Sequence, residues 1–133
     1  MPLTCKRRIL RLALSIVLLL LICVAVWFAK GCPPHIPATA TAVLRYSTNT
    51  EVTLTAEETR MVRQYLKQGH YSFDGAGCPF RDASISFGDA VYGISTDDCP
   101  TFQRMDNQKA YEMTEKGRNY IISLFEKYAG HFP

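Results

Sequence analysis

The chain has 133 residues, 47% of them hydrophobic, with 15 Lys and Arg against 12 Asp and Glu. Five of the cations, Lys6, Arg7, Arg8, Arg11 and Lys30, lie in the first thirty residues, which hold no acid, so the chain from Gly31 onward carries ten cations against twelve acids and a formal charge of −2. A folded region with that balance has no cationic excess to neutralise phosphates, so nucleic acid is excluded as an expected partner.

From Leu12 to Ala29 the chain reads LALSIVLLLLICVAVWFA, without a charge and with Ser15 as its one strongly polar residue. That length is close to the shortest helix, about 17–20 residues, that crosses the hydrocarbon core of a bilayer. Four cations precede the run and only Lys30 follows closely, so the positive-inside rule predicts a cytoplasmic N-terminus, with Trp27 and Phe28 at the outer interface. The expected organisation is a basic cytoplasmic tail over 1-11, a transmembrane signal anchor over 12-29, a Pro-rich linker over 30-40 and an extracytoplasmic domain over 41-133. Two other processings use the same residues. Cleavage as a secretory signal would fall near Ala38-Thr39-Ala40, and acylation of Cys32 after cleavage would leave a lipid anchor. All three put the domain outside the cytoplasm, so a single-pass protein of the cell membrane is the expected location.

Beyond the prolines at 33, 34 and 37, which cannot continue a helix, Thr41–Tyr46 and Glu51–Leu54 are β-prone runs separated by the polar Ser47-Thr48-Asn49-Thr50. Thr55 opens the sequence Thr-Ala-Glu-Glu, a capping box, and Met61, Val62, Tyr65 and Leu66 form an apolar stripe that Gly69 is placed to end. Strands are predicted over Tyr71–Asp74, Ala83–Phe87, Ala90–Ser95, Thr101–Met105 and Lys109–Met113, with a turn at Asp106-Asn107-Gln108. Thr114 caps a final helix whose Ile121, Leu124, Phe125 and Tyr128 recur at helical spacing before Gly130. The expected class is α+β, a small antiparallel sheet covered by two amphipathic helices and preceded by one transmembrane helix.

Gly88-Asp89 suits a two-residue type II′ turn. It fixes a register in which Phe87 faces Ala90, Ile85 faces Tyr92 and Ala83 faces Ile94, all apolar or aromatic. The same ladder carried outward sets Cys78 opposite Cys99, each followed by proline. In an oxidising compartment that proximity predicts a disulfide between Cys78 and Cys99. No Cys-x-x-Cys and no histidine at ligand spacing accompanies either cysteine, so no metal site is expected.

His35, His70 and His131 belong to no recognisable motif, and no nucleophile elbow, zincin, phosphate-loop or dinucleotide fingerprint occurs. No catalytic residue and no cofactor is expected. Asp97 and Asp98, with Asp82 across the hairpin, could attract a cation, but turn chemistry accounts for them equally well. Tyr71, Phe73, Phe80 and Phe102 flank the cysteine loops as a core cluster or as an exposed patch. The expected interaction surface is Phe80, Arg81, Asp97, Asp98 and Phe102.

The strings Val43-Leu44-Arg45-Tyr46, Glu51 to Thr59, Cys78-Pro79-Phe80, Ser84 to Asp89, Asp97 to Pro100 and Ile121 to Pro133 together resemble small exported bacterial proteins, often membrane- or lipid-anchored. The resemblance covers the chain from about residue 43 and implies a helix, a cysteine-bridged hairpin and a closing helix, with no activity to transfer. The expected function is a non-catalytic, membrane-anchored binding module with a protein partner. The alternatives are an inhibitor or immunity-type protein that blocks an exported enzyme or toxin, and a small enzyme with an unrecognised site.

Overall fold

A computed structural model describes residues 3–31, 33–46, 50–72 and 78–133. Of the expected turn Ser47-Thr48-Asn49-Thr50, the first three residues lie outside the described residues, as do Cys32, Phe73 and Asp74, while Thr50 is in a strand. The chain divides into two compact units, Met1–Cys32 and Pro33–Pro133.

The first unit is one helix, α1 (Leu3–Gly31), long and apolar enough over Thr4–Ala29 to cross a membrane. It starts well before residue 12, because the tail residues Lys6, Arg7, Arg8 and Arg11 are straight-chain helix formers with no proline or glycine among them. Its large apolar side chains from Ile9 to Phe28 are exposed. The Ser15 hydroxyl donates to the Arg11 carbonyl at 2.9 Å, so the polar residue of the apolar run is satisfied within its own helix.

The second unit is α+β. Its elements are β1 (Ala42–Tyr46), β2 (Thr50–Thr53), α2 (Ala56–Lys67), β3 (His70–Ser72), β4 (Ala83–Phe87), β5 (Ala90–Ile94), β6 (Thr101–Arg104), β7 (Ala110–Glu112) and α3 (Glu115–Ala129). The strands form one open, antiparallel, seven-stranded sheet in the order β2-β1-β4-β5-β6-β7-β3. The two edges, β2 and β3, are joined in sequence by α2, which therefore leads from one side of the sheet to the other.

The predicted capping box forms: the Glu58 amide donates to Thr55 Oγ1 at 3.2 Å, and the Thr55 amide donates to Glu58 Oε2 at 3.0 Å. The helix ends at a right-handed Gln68, not at a left-handed Gly69. Gly69 is needed for space instead, since a Cβ there would lie 2.9 Å from the Phe102 ring. Thr114 caps α3 by accepting from the Gly117 amide at 3.1 Å, and Gly130, at φ 82°, closes the helix as expected.

The β4–β5 hairpin pairs Phe87 with Ala90, Ser86 with Val91, Ile85 with Tyr92 and Ser84 with Gly93, as the two-residue turn at Gly88 (φ 60°) requires. Alternate residues of this hairpin, Ile85, Phe87, Tyr92 and Ile94, join Leu44, Phe102 and Tyr111 in one core with Val62 and Leu66 of α2 and Ile121, Leu124 and Phe125 of α3. The segment expected as a linker contributes to it as well. Ile36 is buried in the core, the Tyr92 hydroxyl donates to the His35 carbonyl at 2.6 Å, and Arg63 of α2 donates to the carbonyls of Pro37 and Ala40 at 3.0 and 2.5 Å.

Candidate functional site

Ser84 and Gly93 are paired and alternate with the core residues, so they face the other side of the sheet. On that side the chain crosses back over itself. A Cβ on Gly93 would meet the Phe80 carbonyl oxygen at 2.7 Å, Phe80 Cβ at 2.8 Å and Met105 Sδ at 3.0 Å. The Thr96 amide donates to the Pro79 carbonyl at 3.1 Å and fixes the crossing. Phe80 is thereby buried outside the main core, while Phe102 is fully buried inside it. Both were expected at an interaction surface, and both are packing residues: their rings are taken up by the fold.

The crossing leaves a cleft of about 490 Å³ between Cys78, Pro79, Phe80, Arg81 and Asp82 on one side and Gln103, Met105 and Gln108 on the other. The Gln103 side-chain amide donates to the Gln108 carbonyl at 3.0 Å, which stiffens the second wall. Arg81 and Asp82 are exposed, and among the described residues Arg81 makes no ion pair. Gln103, Met105 and Gln108 were not anticipated as site residues. The available signal was Gly93, because a glycine inside a strand marks a place where another backbone comes close.

Cys78 and Cys99 meet at one end of this cleft. Their sulfurs lie 2.6 Å apart as free thiols, beyond the roughly 2.05 Å of a disulfide, so the expected proximity is present and the expected bond is not. Strand pairing has ended by these residues, and it is the loop bonds that hold them. Asp97 accepts from the Ser95 hydroxyl and, at 3.0 Å, from the Cys99 amide, and these two donors hold its carboxyl below the usual range. Its own carbonyl accepts from Arg118 at 2.7 Å. The hydrogen bond with Cys78 raises the Cys99 thiol above its ordinary pKa, although Thr101 donates to its sulfur at 3.3 Å.

Cys78, Asp97 and Cys99 present ligand atoms within 4.8 Å of one another, the one metal-compatible group among the described residues. Asp82, expected to join the aspartates, is not in that group, and Asp98 is exposed beside it. Of the histidines, His70 is exposed on β3 and His35 supplies a carbonyl to Tyr92. His131 lines a separate cleft of about 310 Å³ with Tyr46, Asp82 and Pro133, which brings it one acidic side chain. Comparison with known proteins gives no match to a family model, to a curated protein or to a solved structure.

Proposed function

We propose that the chain is a single-pass membrane protein whose C-terminal unit, outside the cytoplasm, binds a protein partner without catalysing a reaction. The apolar α1 spans the bilayer, and the cations ahead of it keep the N-terminus cytoplasmic. The amphipathic helices α2 and α3 cover one face of the sheet, and the partner is met at the cleft on the other. The observation that supports this reading best is that cleft, whose rim carries the exposed Arg81 and Asp82 on a segment held in place by Thr96 and Gly93. A rim fixed before binding loses little conformational entropy on association, and an exposed guanidinium suits a carboxylate on a partner.

The test places a photo-crosslinking residue at position 81 and, separately, at the exposed position 116 on α3, and illuminates intact cells. A discrete protein adduct from position 81 and none from 116 is expected. Equal adducts at both positions, or none at 81, would overturn the assignment of the cleft.

A further inference from the structure

We propose that Cys78 and Cys99 are a thiol–disulfide site, oxidised by a disulfide-bearing compound or protein, and that closing the bond locks the chain crossing that forms the cleft. The two sulfurs already lie 2.6 Å apart, so the bond forms by a shift of about half an ångström without moving a strand or helix. The loops are positioned beforehand: Thr96 holds the Pro79 carbonyl, and Asp97 holds the Cys99 amide. Both cysteines are half-buried and Cys78 lines the cleft, which gives an oxidant a way in.

The step balances with a disulfide R–S–S–R as oxidant. The Cys78 thiolate attacks one sulfur, forming a mixed disulfide and releasing one thiolate. Cys99, having lost its proton, then attacks the Cys78 sulfur and expels the second. Two protein thiols become one disulfide, the oxidant is reduced to two thiols, and the two cysteine protons end on those leaving groups. Cys78 lines the cleft, so an oxidant there meets Cys78 first.

Zinc is the competing occupant, and the geometry disfavours it. Two thiolates on one tetrahedral zinc, with Zn–S near 2.3 Å, stand about 3.7 Å apart. Here they are more than an ångström closer, and only one further donor, Asp97, stands with them among the described residues. The chemistry does not depend on whether the cleft binds a partner.

The experiment uses the full chain in detergent with Cys5, Cys23 and Cys32 replaced by serine. The protein is reduced, desalted and treated with oxidised glutathione, with maleimide counting of thiols after denaturation. Expected are two reactive thiols before treatment and none after, and an unreduced peptide joining Cys78 to Cys99. Hydrogen exchange of the Thr96 amide should slow at least about tenfold, as a restrained loop requires. The same oxidant should leave exchange unchanged in a C78S/C99S chain. Persistent thiols, separate glutathione adducts on each cysteine, an unchanged Thr96 exchange rate, or thiol protection that a zinc chelator reverses would each overturn the proposal.

Discussion

The Tyr128 hydroxyl of α3 lies 3.0 and 2.8 Å from the two carboxylate oxygens of Glu58 on α2, so the last turn of one helix is bonded to the capping residue of the other. Lys127 adds an ammonium 2.6 Å from Glu58 Oε1, and Tyr46 of β1 donates to the Tyr128 carbonyl at 2.8 Å. Burial alone would raise the Glu58 pKa. The hydrogen bonds from Lys127, the Thr55 amide, Tyr128 and the Thr55 hydroxyl outweigh it and bring the group from an ordinary 4.5 to about 2. A carboxyl with a depressed folded-state pKa stabilises the fold above its unfolded value, and that contribution is lost as pH falls through the folded one. Stability is therefore expected to decline between about pH 4.5 and pH 2. Glu58→Gln should lose about 1–3 kcal/mol at neutral pH and show a flatter profile across that window, read by thermal unfolding followed by circular dichroism. An equally steep acid profile in the variant would remove Glu58 as the cause.

Phe102 and Arg81 separate core from rim. Phe102 is fully buried, stacked on Tyr111 with ring centroids 5.4 Å apart and edge-on to Tyr92 at 6.0 Å. Phe102→Ala is expected to cost about 3–5 kcal/mol. Arg81→Ala, at an exposed residue that makes no ion pair among the described residues, should stay within about 0.5 kcal/mol of the parent. Denaturant titration of both variants checks the contrast, and similar midpoint shifts would mean that Arg81 has a structural role.

What was readable in the sequence is what adjacent residues decide. The Thr55 capping box, the Gly88 turn with its register, and Gly130 at the end of α3 are each set within a few positions. The approach of Cys78 to Cys99 was expected from that register carried outward, but the ladder stops at Ser84 and Gly93 and loop bonds such as Thr96 to Pro79 bring the two together. The rest depends on contacts between distant segments. β3 pairs with β7 at the far edge of the sheet, Ile36 enters the core, and Gly69 and Gly93 are glycines because a ring and a backbone pass over them. None of these has a local period. Phe80 was indistinguishable from a surface aromatic because it lies beside a cysteine loop with no repeat to assign it a face, and Phe102, although on a predicted strand, sits in β6, whose burial does not alternate.

Gly93→Ala tests the crossing directly. Its methyl group would sit 2.7 and 2.8 Å from backbone O and Cβ of Phe80, atoms that cannot rotate away. The Pro79–Phe80 segment must lift, at an expected cost of about 1–3 kcal/mol. Reaction of Cys78 with a bulky maleimide in the native protein should then accelerate. An unchanged rate would show that the segment is not held against β5.

The cysteine bridge, once formed, should be measurable in the unfolding equilibrium. Cys78 and Cys99 are 21 positions apart, and the chain-entropy model gives about 3 kcal/mol for closing a loop of that size. Oxidised and reduced samples of the same chain, unfolded in urea, should differ by about that amount, and a difference below about 1 kcal/mol would show that the closed bond is strained or the open loop already restricted.

Arg63 carries the attachment of residues 33–40. Its Nε donates to the Pro37 carbonyl at 3.0 Å and its Nη2 to the Ala40 carbonyl at 2.5 Å, while the guanidinium lies 5.4 Å from the centre of the Phe87 ring. One planar group thus binds two carbonyls of the incoming segment and stacks on the sheet behind it. Lysine offers a single point charge in place of that fork, so Arg63→Lys is not conservative here. Arg63→Ala is expected to cost about 1–3 kcal/mol, because the lost bonds come from a charged donor and leave two carbonyls to find water. The effect should also be local. With Ile36 still apolar but its flanking carbonyls released, the segment opens more often than the whole unit unfolds, and limited proteolysis should cut within residues 33–41 several-fold faster in Arg63→Ala and nearly as fast in Arg63→Lys. If cleavage there keeps the parent rate while global stability falls, Arg63 supports α2 and the sheet, and Ile36 with the Tyr92–His35 hydrogen bond holds the segment down.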